Sequence, residues 1–148
     1  MQLQKTIRLL IVALALAAVL LALAAPGAIG ARNRTTLNSV NVGLYSDAAC
    51  TQSLTAINWG ALTPGAAASR TIYVKNTGDA TLVLSFVAGS WSPIQSQSLL
   101  MVSWNRGGYT LTAGTIVAAT LTLQVVPSAG SLSSFSFTIT ISGTTSGK

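Results

Sequence analysis

The chain of 148 residues contains no histidine and no glutamate, and its only side-chain carboxylates are Asp47 and Asp79. Charged residues make up 7% of it, against about 25% in an average soluble protein. General acid–base catalysis needs a titratable group tuned near its working pH, and the triad of serine, histidine and aspartate has no histidine to use. Glycoside hydrolysis would need both aspartates to converge, yet each sits among turn-forming neighbours, in "YSDAAC" and "NTGDA". With one cysteine, two aspartates and no imidazole, a metal site is not expected. Nor does any glycine-rich loop lead into a helix that would receive a phosphate. The chain is therefore expected not to be an enzyme and to need no cofactor.

The formal net charge of +6 comes from scarce acids rather than abundant bases. Arg70, Lys75 and Arg106 are far apart, and only Arg32 and Arg34 lie close together. Nucleic-acid binding needs clustered cations, so no nucleic-acid partner is expected. Stability varies with pH only where groups bind protons differently in the folded and unfolded states. So few titratable groups predict a domain that tolerates an acidic exterior; the plainer reading is a Ser/Thr-rich exported domain that simply carries few charges.

The one cysteine, Cys50, cannot form an internal disulfide. It reads as a small buried hydrophobe, with an intermolecular bridge or a lipid or thiol attachment as the sharper alternative. Asn33-Arg34-Thr35 is the only Asn-x-Ser/Thr sequence, which makes Asn33 a candidate glycosylation site.

The amino terminus has basic Lys5 and Arg8, then no charge from Leu9 through Ala31. A basic start, an apolar stretch and a small-residue exit form a secretory signal. Candidate cleavage positions follow Ala24 and Gly30. An uncleaved anchor is the competing reading, since a span needs about 20 apolar residues. Both readings put the rest of the chain outside the cytoplasm, secreted or at the cell surface, with membrane contact only through residues 1–30.

Beyond the leader, apolar residues alternate with Ser and Thr. Val40, Val42 and Leu44 fall on one face, as do Ile72 and Val74, then Leu82, Leu84 and Phe86, and Leu100, Val102 and Trp104. Val117 to Val125 and Phe135 to Ile141 continue the period of two. This period predicts half-buried antiparallel strands. Pro64-Gly65, Asn76 to Asp79, Ser92-Pro93, Asn105 to Gly108, Ala113-Gly114 and Pro127 to Gly130 carry turn chemistry between them. Six clear strands, and weaker ones near Ile57 and Tyr109, predict an all-β sandwich of about seven strands after an N-terminal hydrophobic helix. "LTPGAAASRTIYVKN" and "LTAGTIVAATLTLQV" look like variants of one turn-and-strand unit.

The run of Pro64-Gly65, Ile72, Val74, Asn76, Gly78, Leu82 and Leu84 resembles bacterial and archaeal immunoglobulin-like domains of secreted surface proteins. Together with "YSDAACTQSLTAINWG", it is most similar to small archaeal exported proteins made of a signal and one such domain. The likeness covers Val40 to Gly143 and rests mostly on turn and core positions. It implies a leader or anchor over residues 1–30 and one immunoglobulin-like antiparallel β-sandwich over 31–148. Some exported archaeal single-domain sandwiches build surface filaments by donating a strand to a neighbour. By that likeness the lead "RNRTTLNSVNVGL" is a candidate donated strand, while Val40 to Leu44 also reads as the domain's own first strand.

The resulting expectation is a non-enzymatic structural or interaction protein at the cell surface, a filament subunit whose partners are copies of itself or other surface proteins. The alternative is a monomeric adhesion or carbohydrate-binding module. For that role Trp91, read as a loop residue in "GSWSPIQ", and the outward Tyr73 are the candidate exposed aromatics, whereas Trp104 reads as core.

Overall fold

The computed structural model describes residues 33–130 and 132–146. The expected leader over 1–30, its hydrophobic helix and the cleavage positions Ala24 and Gly30 lie outside the described residues.

The alternating runs form strands because each can bury one face and leave hydroxyls on the other. The described strands are β1 (Arg34–Val40), β2 (Val42–Tyr45), β3 (Ala56–Asn58), β4 (Ala67–Asn76), β5 (Leu82–Ser92), β6 (Leu100–Trp104), β7 (Thr110–Leu111), β8 (Ile116–Val125) and β9 (Ser136–Thr145). One short helical turn, α1 (Ser96–Leu99), precedes β6. The two weak strands read near Ile57 and Tyr109 are present as β3 and β7. The fold is all-β, and its strands form two sheets, ordered β3-β1-β9-β5-β7 and β2-β4-β8-β6.

The inward residues of both sheets meet in one hydrophobic cluster. Leu84, Phe137, Ile139 and Ile141 come from the first sheet, and Ile72, Val74, Leu121 and Leu123 from the second, all almost fully buried. Burial of a side chain of this size is worth about 1.5–3 kcal/mol relative to leaving it in water. The β9 residues Thr138, Thr140 and Ser142 alternate with the buried ones and are only partly covered.

Two features differ from the expected antiparallel pattern. First, β1 runs parallel to β9, with Leu37 opposite Ile139, while it is antiparallel to β3. Second, Val40, Val42 and Leu44 do not share a face. Val40 is 48% exposed at the end of β1, whereas Val42 and Leu44 are buried in the other sheet. Between them Asn41 has φ 62°, a left-handed conformation that asparagine tolerates better than most residues. The chain changes sheets there, so the alternation is interrupted without any break in its apolar period.

The two similar units become the paired centre of the second sheet. β4 and β8 are antiparallel, with Ile72 opposite Ala119. Gly65 N–H donates to Val125 O at 3.0 Å, and Gly114 N–H donates to Asn76 O at 3.1 Å. Each unit's glycine thus binds the last residue of the other unit's strand. Both glycines have positive φ, 82° and 70°, as the turns entering β4 and β8 require.

Candidate functional site

The part of the molecule with the most unusual arrangement is the slot holding β1. A hydrophobic pattern would fill its inward positions with apolar groups, and Leu37 fits that rule at 6% exposure. The positions before it do not. Asn33 and Thr35 are both fully buried, and a buried polar group is costly unless it is hydrogen-bonded.

Both are bonded to the walls of the slot. Asn33 Nδ2 donates to Gly60 O at 2.9 Å, and Asn33 Oδ1 accepts from Phe135 N–H at 3.2 Å. Thr35 Oγ1 accepts from the indole Nε1–H of Trp59 at 2.7 Å. Backbone bonds run alongside: Trp59 N–H to Asn33 O at 2.9 Å, Arg34 N–H to Phe135 O at 3.2 Å, and Leu37 N–H to Thr55 O at 2.8 Å. At the other end of β1, Asn41 Nδ2 donates to Gly143 O at 3.0 Å. An asparagine therefore ties down each end of the strand.

Trp59 is itself fixed from the second sheet. It is 2% exposed, and the Arg70 guanidinium lies 5.7 Å from the ring centroid. Arg70 also donates to Asn58 O, Trp59 O and Ser69 O, so its charge is used to hold the end of β3. The Trp59-Gly60 step has a direct use: Gly60 adopts φ 76° and presents the carbonyl that Asn33 binds.

Asn33 is consequently not a surface side chain in this fold, because its amide nitrogen is buried against Gly60. Trp91 is likewise not an exposed loop aromatic. It lies in β5, where the register with β9 shifts between Gly89 and Ser92 and Ser90 has φ 53°. A bulge of this kind re-aims the following side chain. Trp91 is half-buried and stacks on Phe137 at 4.4 Å with a 19° tilt between rings. Tyr73 is half-buried in the other sheet, opposite Tyr45 and Ala118, so the two candidate aromatics form no common platform. Trp104 packs against the core as expected and stacks on Phe86 at 5.7 Å.

The remaining candidates are turn builders. Asp47 accepts from the N–H groups of Thr51 and Gln52 and from the Thr51 hydroxyl. These bonds, that from Gln52 foremost, hold its carboxyl below the ordinary carboxylate range. Asp79 lines an open cleft of about 330 Å³ with Asn41, Thr77 and Thr145. The two carboxylates stand beyond opposite ends of β2, since Val42 pairs with Asn76 and Tyr45 with Tyr73. Cys50 is half-buried in the Asp47 loop, and burial pushes its thiol pKa up. Among the described residues there is no group of three or more potential metal ligands and no helix long and apolar enough to cross a membrane.

Sequence reasoning missed Thr35 and Trp59 as partners across 24 residues. The available signal is the single Asn-x-Thr motif, which reads as a modification site and carries no mark of burial. No family model matches the chain, and no curated protein matches it.

Proposed function

We propose that this chain is a non-enzymatic structural subunit of the cell surface, an immunoglobulin-like β-sandwich that associates with copies of itself by exchanging β1. The observation that carries this reading is the position of β1. It is the first described strand, it fills an interior place between β3 and β9, and it joins the rest of the fold through the single residue Asn41. A strand so placed can leave its own slot for the same slot of a neighbour, reforming identical contacts at low cost. Sheet edges accept such strands through backbone hydrogen bonds.

Composition supports the non-enzymatic part of the reading, since the chain offers no histidine or glutamate as acid or base. The leader pattern over residues 1–30 supports export, with the domain secreted or held at the surface. The adhesion or carbohydrate-binding alternative has less support, because Trp91 stacks inward and Tyr73 belongs to the other sheet.

Thiol trapping tests the exchange. Thr36 and Ala56 are directly opposed on β1 and β3. One chain carries Thr36→Cys and a second Ala56→Cys, both with Cys50→Ser to remove the native thiol. Mixed at high concentration and oxidised, they are expected to give disulfide-linked heterodimers, and electron microscopy of the unmodified protein is expected to reveal ordered assemblies. A mixture that stays monomeric under all concentrations rejects the reading.

A further inference from the structure

We propose that the slot between β3 and β9 is a sequence-reading acceptor, built to take an extended strand carrying Asn-x-Thr, and that its ligand is the segment 33–41 of a second copy of this chain. This rests on the strand-exchange reading above and adds what the slot recognises. Backbone pairing alone would admit any extended segment. The polar end of this slot does not, because three of its groups require partners that only particular side chains supply.

The first is the indole N–H of Trp59, which needs an acceptor at the position of Thr35. The second is the carbonyl of Gly60, which needs a donor at the position of Asn33. The third is the Phe135 N–H, which needs an acceptor from the same side chain. An amide has a donor and an acceptor on one short stem, so asparagine meets the second and third demands together. A hydroxyl on a β-branched stem meets the first and suits an extended backbone.

An apolar strand entering the slot would bury Trp59 Nε1–H and Phe135 N–H without partners and would leave the half-buried Gly60 O without its donor. Trp59 and Phe135 are each 2% exposed, so water has little access to make good the loss. A site built to hydrogen-bond its ligand rejects analogues lacking those groups far more strongly than an apolar pocket rejects a missing methylene. The expected discrimination is about tenfold or more for each unpaired group.

The chain contains no second Asn-x-Ser/Thr sequence. No other segment of it can therefore satisfy the slot, which fixes both the identity and the register of the entering strand. The motif that reads as a glycan acceptor acts here as a key. Asn33 is fully buried in the slot, with no space for a sugar on Nδ2, so a glycosylated strand would be excluded.

The test uses peptides, which have no slot of their own, against the full chain carrying Ala56→Cys and Cys50→Ser. Four peptides span residues 33–41 with Thr36→Cys: the otherwise native sequence, Asn33→Ala, Thr35→Val and Thr35→Ser. A scrambled peptide with one cysteine measures unspecific disulfide exchange. In a thiol–disulfide buffer, the native and Thr35→Ser peptides are expected to be captured well above the scrambled one. The Asn33→Ala and Thr35→Val peptides are expected to be captured about tenfold less or worse. In a chain that also carries Trp59→Phe, the Thr35→Val penalty is expected to disappear, because no indole N–H remains to be paired. Equal capture of the native, Asn33→Ala and Thr35→Val peptides above the scrambled control overturns the sequence-reading slot while leaving strand exchange standing. Capture of every peptide at the scrambled level overturns both.

Discussion

The indole N–H of Trp59 donates to the hydroxyl of Thr35 at 2.7 Å, across 24 residues and out of reach of solvent. This contact joins β1 to the residue that follows β3. Thr35→Val keeps the shape of the side chain and removes the acceptor. It is expected to lower stability by about 2 kcal/mol, the cost of leaving a buried donor unpaired. Thr35→Ser, which keeps the hydroxyl, is expected to lose less. Urea unfolding of the three proteins, followed by tryptophan fluorescence, checks the order.

Gly143 is held in a place with no room for a side chain. A Cβ there would lie 2.7 Å from Leu82 Cδ1 and 3.1 Å from Val42 Cγ1. Gly143→Ala is therefore expected to destabilise the domain by about 2 kcal/mol through overpacking. Leu82→Ala alone also destabilises, by leaving a cavity. The double variant is expected to be more stable than the sum of the two losses predicts, a coupling that a double-mutant cycle measures.

Trp91→Ala is expected to act on stability. The ring stacks on Phe137 at 4.4 Å but is only half-buried, so a loss of about 2 kcal/mol is expected, below the range for a fully buried tryptophan. Thermal unfolding checks it. Binding of a sugar panel that depends on Trp91 while stability is unchanged would instead support the carbohydrate-binding alternative.

The acid response should be narrow and traceable to Asp47. Its folded pKa is lowered by the N–H groups of Gln52 and Thr51 and the Thr51 hydroxyl. A lowered folded pKa means that the stabilisation is present above the unfolded value of about 3.9 and is lost as pH falls through the folded pKa. The melting temperature is expected to hold from neutral pH down to about pH 4 and to decline only below that. Asp47→Asn is expected to be less stable at neutral pH and to flatten the acid limb. Melting curves from pH 7 to pH 2 distinguish the two proteins.

Most of the core was legible in the sequence because each long strand buries a single face. Val117, Ala119, Leu121, Leu123 and Val125 are all buried, as are Phe135, Phe137, Ile139 and Ile141, as their alternation predicts. The turns at Pro64-Gly65 and Ala113-Gly114 were legible for the same local reason, since positive φ calls for glycine. What escaped was non-local or invisible to hydropathy. The apolar period runs on through Val40, Val42 and Leu44 although the chain leaves one sheet at Asn41 for the other. The bulge at Ser90 changes which way Trp91 points without changing composition. Parallel pairing of β1 with β9 joins segments about a hundred residues apart and has no local signature. The candidate site was hidden most fully, because Asn33 and Thr35 are polar residues in core positions, and their partners are fixed only once the sheets have formed.

The reciprocal glycine bonds between β4 and β8 act on the pair like a clasp at each end of a strap. Gly65 grips the end of β8 and Gly114 the end of β4. Sliding one strand past the other by a single residue would turn its buried face outward and undo both clasps at once. The centre of the second sheet therefore has one alignment, kept from both ends, and neither clasp involves β1, which pairs only in the first sheet.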